Sequence, residues 1–222
     1  MSKRIDVIAS LIEPCGIFAD VGCDHGLVAK KVLDEELAEK VFITDISKPS
    51  LDKAIALLEE FYPDKFTAYL TDGLTSVPAA NEVLIAGMGG EEIIKIIEKS
   101  AYKPVILILQ PMKNADKVRK YLRKIGYGLD RDFTFYQDDK YYDIMRAKFG
   151  FNDFYNEKEE QYGRENLKGN PDFIRFLNER ILEVENILST NNLSPVSKNQ
   201  LIERLQTFRG LKDEIERNLR TD

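Results

Sequence analysis

Residues 17–26 of this chain read Ile17-Phe18-Ala19-Asp20-Val21-Gly22-Cys23-Asp24-His25-Gly26. An apolar run that stops at a glycine-containing turn is typical of a strand leading into a helix, and residues 27–37 have the apolar spacing of that helix. Glycine at the end of a first strand lets a ligand approach the backbone, at the edge where open α/β sheets bind their ligands. The stretch therefore predicts an α/β fold with a ligand site at this turn.

The same strand-then-helix pattern repeats up to residue 149. The predicted buried strands are 17–21, 41–44, 66–70, 83–86 and 105–109, and the predicted helices are 27–37, 48–61, 91–99 and 114–125. Two further strands, 133–137 and 142–149, are separated by the short turn Asp138-Asp139-Lys140, which can join only antiparallel neighbours. Five parallel strands closed by a hairpin predict a seven-stranded, Rossmann-like sheet rather than the six parallel strands of a dinucleotide-binding dehydrogenase.

The composition changes after Gly150, which divides the chain into a predicted catalytic domain, 1–150, and a helical extension, 151–222. Two heptad-like seams run through the extension, formed by Ile174, Leu177, Ile181, Val184 and Leu188 and by Leu201, Leu205, Phe208, Ile215 and Leu219. The loop at 191–195 is short enough to fold the second helix back on the first. We therefore expect an antiparallel coiled-coil pair, and because its seams can satisfy each other, a monomer.

Acidic residues accompany the glycines of the first turn. A GxGxxG pyrophosphate site uses glycine amides and a helix N-terminus to hold the anion. Here Asp24 stands within the turn, where its carboxylate would repel a phosphate, and Asp20 lies near the end of the strand before it. They suit the sulfonium and ammonium groups of S-adenosylmethionine. A plain tight turn is the alternative for this stretch taken alone.

Acids and glycines also follow the next three predicted strands. Asp45 can accept hydrogen bonds from ribose hydroxyls, Ile46 can lie against adenine, and Asp72 can take the adenine amino group. One such acid is more often a helix cap, but the series in register favours a site for S-adenosylmethionine. The predicted donor-binding residues are Asp20, Gly22, Cys23, Asp45, Ile46, Asp72, Gly73, Gly87, Met88 and Gly89.

The fifth predicted strand ends at Gln110-Pro111-Met112, and a basic helix follows it. Gln110 offers a donor and an acceptor to the edge of a base, although a proline turn that merely ends the strand is the alternative. Residues 113–124 hold six basic residues and one acid, a charge suited to a polyanion. A solvated helix face is the alternative. The predicted nucleic-acid contacts are Lys113, Lys117, Arg119, Lys120 and Arg123.

Composition narrows the class of protein. The formal net charge of −6 argues against indiscriminate binding of nucleic acid. Cys15 and Cys23 have neither disulfide nor zinc-site spacing, and we expect no metal. No run approaches the roughly 20 apolar residues of a membrane span, and no signal peptide opens the chain. These features predict a cytoplasmic protein without a membrane partner.

Together the motifs resemble the bacterial tRNA (adenine-22 N1)-methyltransferases, which are class I S-adenosylmethionine-dependent methyltransferases. The resemblance rests on the leading helix at 2–12, Asp20-Val21-Gly22-Cys23-Asp24-His25, Asp72-Gly73-Leu74, Ile85-Ala86-Gly87-Met88-Gly89-Gly90, Leu109-Gln110-Pro111 and Tyr141-Tyr142-Asp143-Ile144. The terminal helical pair is also typical of that family. Met112 departs from the pattern, because the family has Asn at this place.

The resemblance implies methyl transfer to N1 of adenine 22 in the D-arm of tRNA, with S-adenosylhomocysteine as product. N1 carries a lone pair and no proton, so catalysis needs chiefly alignment, and a paired base must be turned out to expose N1. Asp24, His25 and Gln110 are the candidate catalytic residues, with Asp24 placed to stabilise charge on the base. Two alternatives stay open: a protein or small-molecule acceptor, and a donor-binding RNA adaptor without activity.

Overall fold

Seven strands form one mixed sheet that presents the first turn at its carboxyl edge. The computed structural model describes residues 3–190 and 193–220. Within them the strands are β1 (Cys15–Val21), β2 (Ala38–Asp45), β3 (Phe66–Leu70), β4 (Glu82–Met88), β5 (Ile106–Pro111), β6 (Tyr127–Gln137) and β7 (Lys140–Phe149). Their order is β3-β2-β1-β4-β5-β7-β6. β1 to β5 are parallel and β7 is antiparallel to both neighbours, which confirms the predicted sheet.

Helices cover both faces of this sheet. They are α1 (Lys3–Ala9), α2 (Leu27–Asp34), α3 (Lys48–Phe61), α4 (Gly90–Lys99), α5 (Ala115–Lys124), α6 (Glu157–Tyr162), α7 (Arg164–Leu167), α8 (Pro171–Leu188) and α9 (Pro195–Asn218). α1, α2 and α3 pack on the face that carries Phe18, and α4 and α5 pack on the face that carries Ala19. Burial of both faces is expected for parallel strands. None of the helices described is long and apolar enough to cross a membrane.

Strand β6 differs most from the prediction. It begins at Tyr127, whereas the sequence indicated a strand from residue 133. Gly128 resembles a break in the sequence, yet it lies within the strand. Glycine is required there because Phe151 occupies the space that a Cβ atom would need. A bulge at residues 129–131 also interrupts the alternation by which a strand is recognised. The hairpin is therefore longer than its apolar pattern suggests.

The C-terminal segment covers the free edge of β6. Three alternate backbone amides of that strand, those of Asp132, Thr134 and Tyr136, donate to side chains of this segment. The accepting side chains, in that order, are those of Glu165 at 2.7 Å, Asn166 at 2.8 Å and Asp172 at 2.9 Å. An unpaired edge would otherwise invite pairing with another chain. The helices after residue 150 are thus built onto the sheet.

α8 and α9 form the predicted antiparallel pair. Leu177 of α8 and Leu211 of α9 share one buried cluster. Glu185, further along α8, pairs with Arg209, which lies nearer the start of α9. The pairing partner moves back along α9 as the chain advances along α8, so the two helices run in opposite directions. Part of the predicted connecting loop, residues 191–192, lies outside the described residues.

Candidate active site

A cavity of about 460 Å³ opens at the carboxyl edge of the parallel strands, a size suited to a small-molecule ligand. The turns after β1, β2 and β3 and the carboxyl end of β4 line it, together with residues of α1. Nine of the predicted donor-binding residues lie on its wall: Asp20, Gly22, Cys23, Asp45, Ile46, Asp72, Gly73, Gly87 and Met88. Gly89 does not, and lines an adjacent groove instead.

The first turn has an unusual backbone. Gly22 and Asp24 both have positive φ, +71° and +46°. The amides of Gly22 and Cys23 both donate to the carbonyl of Thr44, at 2.8 and 3.0 Å, and a side chain at Gly22 would collide with Met88. A left-handed conformation is strained for a non-glycine residue such as Asp24, and strain of this kind collects at functional sites. The turn thus holds an acid where glycine would be easier to accommodate.

Asp20 is the buried acid of the cavity. It is 4% exposed, and burial raises the pKa of its carboxyl from 3.8 to about 7, although the backbone amide of Ala29 and the guanidinium of Arg4 oppose that rise. A buried carboxylate is stabilised when a cation reaches it. Asp20 is therefore the acid that gains most from a positively charged ligand.

Asp45, Ile46 and Asp72 form the other end of the cavity. The carboxylate of Asp45 accepts two backbone hydrogen bonds, including one from Asp24 at 3.2 Å, and these fix it at the end of β2. Ile46 is 75% exposed and offers an apolar face to a planar ligand. Asp72 is held by Lys99, with 2.6 Å between Oδ2 and Nζ. In residues 3–190 and 193–220, no His, Cys, Asp or Glu cluster could hold a metal ion.

Asp24 and His25 form an exposed pair at the rim. His25 Nδ1 lies 2.7 Å from Asp24 Oδ2, and the two side chains are 53% and 65% exposed. On its other side, His25 Nε2 lies 3.5 Å from the ammonium of Lys53. Nδ1 of the imidazole is thus within hydrogen-bond distance of Asp24, and Nε2 faces the Lys53 ammonium. The imidazole therefore orients the Asp24 carboxylate beside the cavity.

Gln110 does not line the cavity where a methyl-accepting base would lie, so the prediction that its side chain contacts the base is wrong. Its side chain is fully buried, and its Oε1 accepts a hydrogen bond of 3.0 Å from Nε of Arg4. Its amide nitrogen lies 3.4 Å from the carbonyl of Pro111. The packing of α1 over the end of β5 therefore places Arg4, rather than Gln110, on the cavity wall.

Arg119 is also misassigned as a nucleic-acid contact. Its side chain is 1% exposed, and its Nε lies 3.0 and 2.9 Å from the two carboxylate oxygens of Asp132 in β6. The hairpin and the C-terminal segment cover this face of α5. A guanidinium enclosed in this way has no access to a phosphate.

The rest of α5 is less basic than its sequence suggests. Arg123 is half-buried and pairs with Glu160 of α6, so it too is unsuited to a phosphate contact. Lys117 pairs with Glu91 at 2.5 Å. Lys120 lines a groove with acidic and polar neighbours, namely Asp116, Glu157, Glu160 and Gln161. Lys113 is exposed beside Gly89. Of the predicted contacts, Lys113 lies nearest the turn after β4.

Sequence reasoning did not assign α1 to the site. Arg4, Ile5 and Ile8 all line the cavity, although they precede the first strand. The signal available was the apolar spacing of Ile5 and Ile8 beside a basic residue. That spacing predicts a packed helix but does not say against which strand ends it packs.

The chain is similar to known proteins along most of its length. The profile of a family described as "Methyltransferase domain" matches residues 1–145. A Mycoplasma pneumoniae protein, provisionally named a tRNA methyltransferase, is 30% identical over 128 residues, which span 55% of this chain and 59% of that protein. The tRNA (adenine(22)-N(1))-methyltransferase of Bacillus subtilis is 29% identical over 159 residues, 69% of this chain and 67% of that enzyme.

A solved structure shares the whole architecture. M. capricolum TrmK, determined with S-adenosyl-homocysteine, superposes with a TM-score of 0.85 at 22% identity, and the match covers 97% of this chain and 99% of that one. The shared fold therefore includes the C-terminal helices as well as the sheet.

Proposed function

Because the chain belongs to the methyltransferase-domain family, we propose that it transfers the methyl group of S-adenosylmethionine to N1 of adenine 22 in tRNA. The observation that carries this proposal is the row of acids and glycines at the carboxyl ends of β1 to β4, gathered on one cavity. The similarity to the B. subtilis enzyme supports the choice of acceptor.

The cavity fits the donor chemically. Asp20 suits the positive charge of the methionine half, and Asp45 suits the ribose hydroxyls. Ile46 and Asp72 suit the face and the amino group of adenine. Gly22 and Gly87 have no side chain to keep the ligand from the backbone. When bound, S-adenosylmethionine supplies the methyl group and leaves as S-adenosylhomocysteine.

The acceptor needs little acid-base chemistry, because N1 of adenine has a lone pair and no proton. The protein's task is to hold the base in line with the methyl group and to stabilise the positive charge that the ring acquires. Asp24 is placed for that second task at the rim, and His25 orients it. The target base must leave its stack to reach the rim, at a cost of a few kcal/mol.

The tRNA contacts extend beyond the rim in this proposal. Lys113 offers positive charge beside the turn after β4, where a strand of RNA would pass, and Lys117 joins it when a phosphate replaces its exposed partner Glu91. Arg119 and Arg123 are not among these contacts, because their guanidinium groups pair with Asp132 and Glu160. The helices of the extension widen the surface, and the enzyme acts as a cytoplasmic monomer with its catalytic unit in 1–150.

Incubation with methyl-labelled donor and unmodified bulk tRNA tests the proposal. We expect label in N1-methyladenosine after digestion to nucleosides. Label in protein or in small molecules would assign a different acceptor. Donor binding without transfer to any of these would make the chain an RNA adaptor.

A further inference from the structure

The charges on the donor cavity are unequal. Its wall carries five carboxyl groups, from Asp20, Asp24, Asp45, Asp72 and Glu92, whereas Arg4 is the one Lys or Arg among the described residues that line it. The donor itself is not purely cationic, because its methionine half ends in a carboxylate beside the ammonium. A carboxylate placed among acids alone would be repelled. Binding of the donor carboxylate therefore needs a cation on the cavity wall, and Arg4 is that cation.

Arg4 is held firmly at that point. Its Nε donates to the buried Oε1 of Gln110 at 3.0 Å, and its guanidinium carbon lies 6.0 Å from the centre of the Tyr142 ring. Its backbone amide donates to the side chain of Gln137. A guanidinium anchored through Nε presents its Nη edge in a fixed direction. The position of the charge is thus set before a ligand arrives.

The Nη edge points to the carboxyl end of β4, at Gly87. A Cβ atom on Gly87 would lie 3.1 Å from Nη2 of Arg4, so a larger residue there would press on the guanidinium. Gly87 has a φ of +79°, which also favours glycine. The guanidinium also influences Asp20, whose carboxyl it keeps closer to the ionised form. Arg4 and Asp20 therefore stand at the same end of the cavity, one of each charge.

We propose that Arg4 binds the carboxylate of the donor's methionine half, while Asp20 faces the adjacent ammonium. The inference rests on the proposed function, since it takes S-adenosylmethionine as the donor. The planar guanidinium matches a carboxylate with two parallel hydrogen bonds, which an ammonium cannot reproduce. Opposite charges at one end of the cavity give the amino-acid group a single orientation, and the methyl group then points toward the acceptor rim.

Gln110 acts on the donor only through Arg4. Its buried amide does not touch the donor or the base, but fixes the guanidinium that does. Gln110 is thus a positioning residue. Gln110→Ala should weaken binding of S-adenosylmethionine several-fold while leaving the affinity for an analogue without a carboxylate unchanged, a difference that general destabilisation would not produce.

Calorimetric titration of wild type and Arg4→Gln with two ligands tests the proposal. The ligands are S-adenosylmethionine and decarboxylated S-adenosylmethionine, which keeps the sulfonium and the ammonium. Arg4→Gln should weaken binding of S-adenosylmethionine about 10- to 100-fold, as expected for a lost charge-assisted pair, and should change binding of the decarboxylated ligand less than about twofold. Arg4→Lys should recover part of the loss.

Lys3→Gln is the matched control, because Lys3 is an exposed cation on the same helix that pairs with Asp172 at 3.6 Å. It should leave both affinities unchanged. Equal losses for both ligands in Arg4→Gln would overturn the proposal. Unchanged donor affinities combined with weaker tRNA binding would overturn it too, and would assign Arg4 to a phosphate.

The proposed function and this inference can fail separately. If wild type binds neither ligand, the donor is wrong and both fall. If wild type binds S-adenosylmethionine and Arg4→Gln binds it equally well, the inference alone falls. If wild type binds the donor with the predicted Arg4 dependence but methylates no tRNA, the inference stands and the acceptor is wrong.

Discussion

Acidic side chains have opposite electrostatic surroundings at two places in this molecule. At the junction between α5 and the hairpin, the Asp132 carboxylate accepts hydrogen bonds from both Arg119, at 2.9 and 3.0 Å, and Tyr155, at 3.1 Å. In the cavity, acids outnumber cations five to one among the described lining residues. The junction acid is satisfied by the protein, whereas the cavity wall keeps a surplus of negative charge that a cationic ligand can offset. The ligand cavity is therefore distinguished from the α5–hairpin junction by its excess of negative charge, and not by how deeply its acids are buried.

The junction should give the largest response in stability. Arg119→Ala leaves Asp132 buried with its main partner removed, and we expect the free energy of unfolding to fall by about 3–5 kcal/mol. Urea denaturation measures it. As a control, Arg131→Ala removes an exposed pair with Glu165 and should cost less than about 1 kcal/mol. Similar losses for both variants would show that the junction pair is no more structural than a surface pair.

Asp20 should respond in the opposite way. Asp20→Asn is expected to weaken donor binding about 100-fold, since a charged hydrogen-bond partner is lost. It should also raise the free energy of unfolding at pH 8. Burial raises the pKa of the Asp20 carboxyl from 3.8 to about 7, so the ionised carboxylate destabilises the folded state. The contribution of Asp20 to the free energy of unfolding of wild type therefore falls as pH rises between those two values. Titration calorimetry and urea denaturation check the two effects.

Glu82 provides the matched control for Asp20. It is buried at the start of β4, and burial raises the pKa of its carboxyl to about 7 as well, but it does not line the cavity. Glu82→Gln should leave donor affinity unchanged. If it weakened donor binding as much as Asp20→Asn, the binding loss would reflect damage to the sheet rather than a missing charge.

Asp24 tests the rim, where the acid is exposed and partnered by His25. Asp24→Asn should lower kcat about 30-fold, less than for an enclosed electrostatic group because water screens the rim. Donor affinity should stay the same. Single-turnover kinetics with tRNA measure the step. Asp52→Asn, an exposed acid paired with Lys48, should change nothing, and full turnover in Asp24→Asn would remove Asp24 from the reaction.

The pH dependence of donor binding gives the smallest effect. The ionised form of Asp20 binds the donor's cationic half, so the affinity for S-adenosylhomocysteine should rise about tenfold from pH 6 to pH 8. The rise should centre on the pKa of about 7 in the free protein. Asp20→Asn should give a flat profile. A slope that persists in this variant but disappears in His25→Gln would assign the titration to the imidazole.

Much of the site could be predicted because parallel strands end at one edge. Asp20, Asp45 and Asp72 lie at the carboxyl ends of successive strands, so the order of strands alone brings them together. Arg4 and Gln110 could not be paired in advance, because they are 106 residues apart and meet only through the packing of α1. The fold could be predicted because strands and helices are recognised from apolar runs within short stretches of sequence.

Arg119 shows why charge patterns mislead. In a basic helix it resembles its neighbours, and its partner Asp132 lies in a strand whose start the sequence conceals. Glycine within that strand and a bulge hide the hairpin's full length, so the enclosed face of α5 cannot be recognised. Burial of a charged residue depends on a partner that is distant in sequence.

Methylation of two tRNA transcripts that differ only at position 22 tests the central claim most directly. One carries adenine there and the other guanine, and both are incubated with the wild-type chain and S-adenosylmethionine. Mass spectrometry of the nucleosides should find N1-methyladenosine in the adenine-22 transcript and none in the other. Equal N1-methyladenosine in both transcripts, or none in either, would contradict the claim.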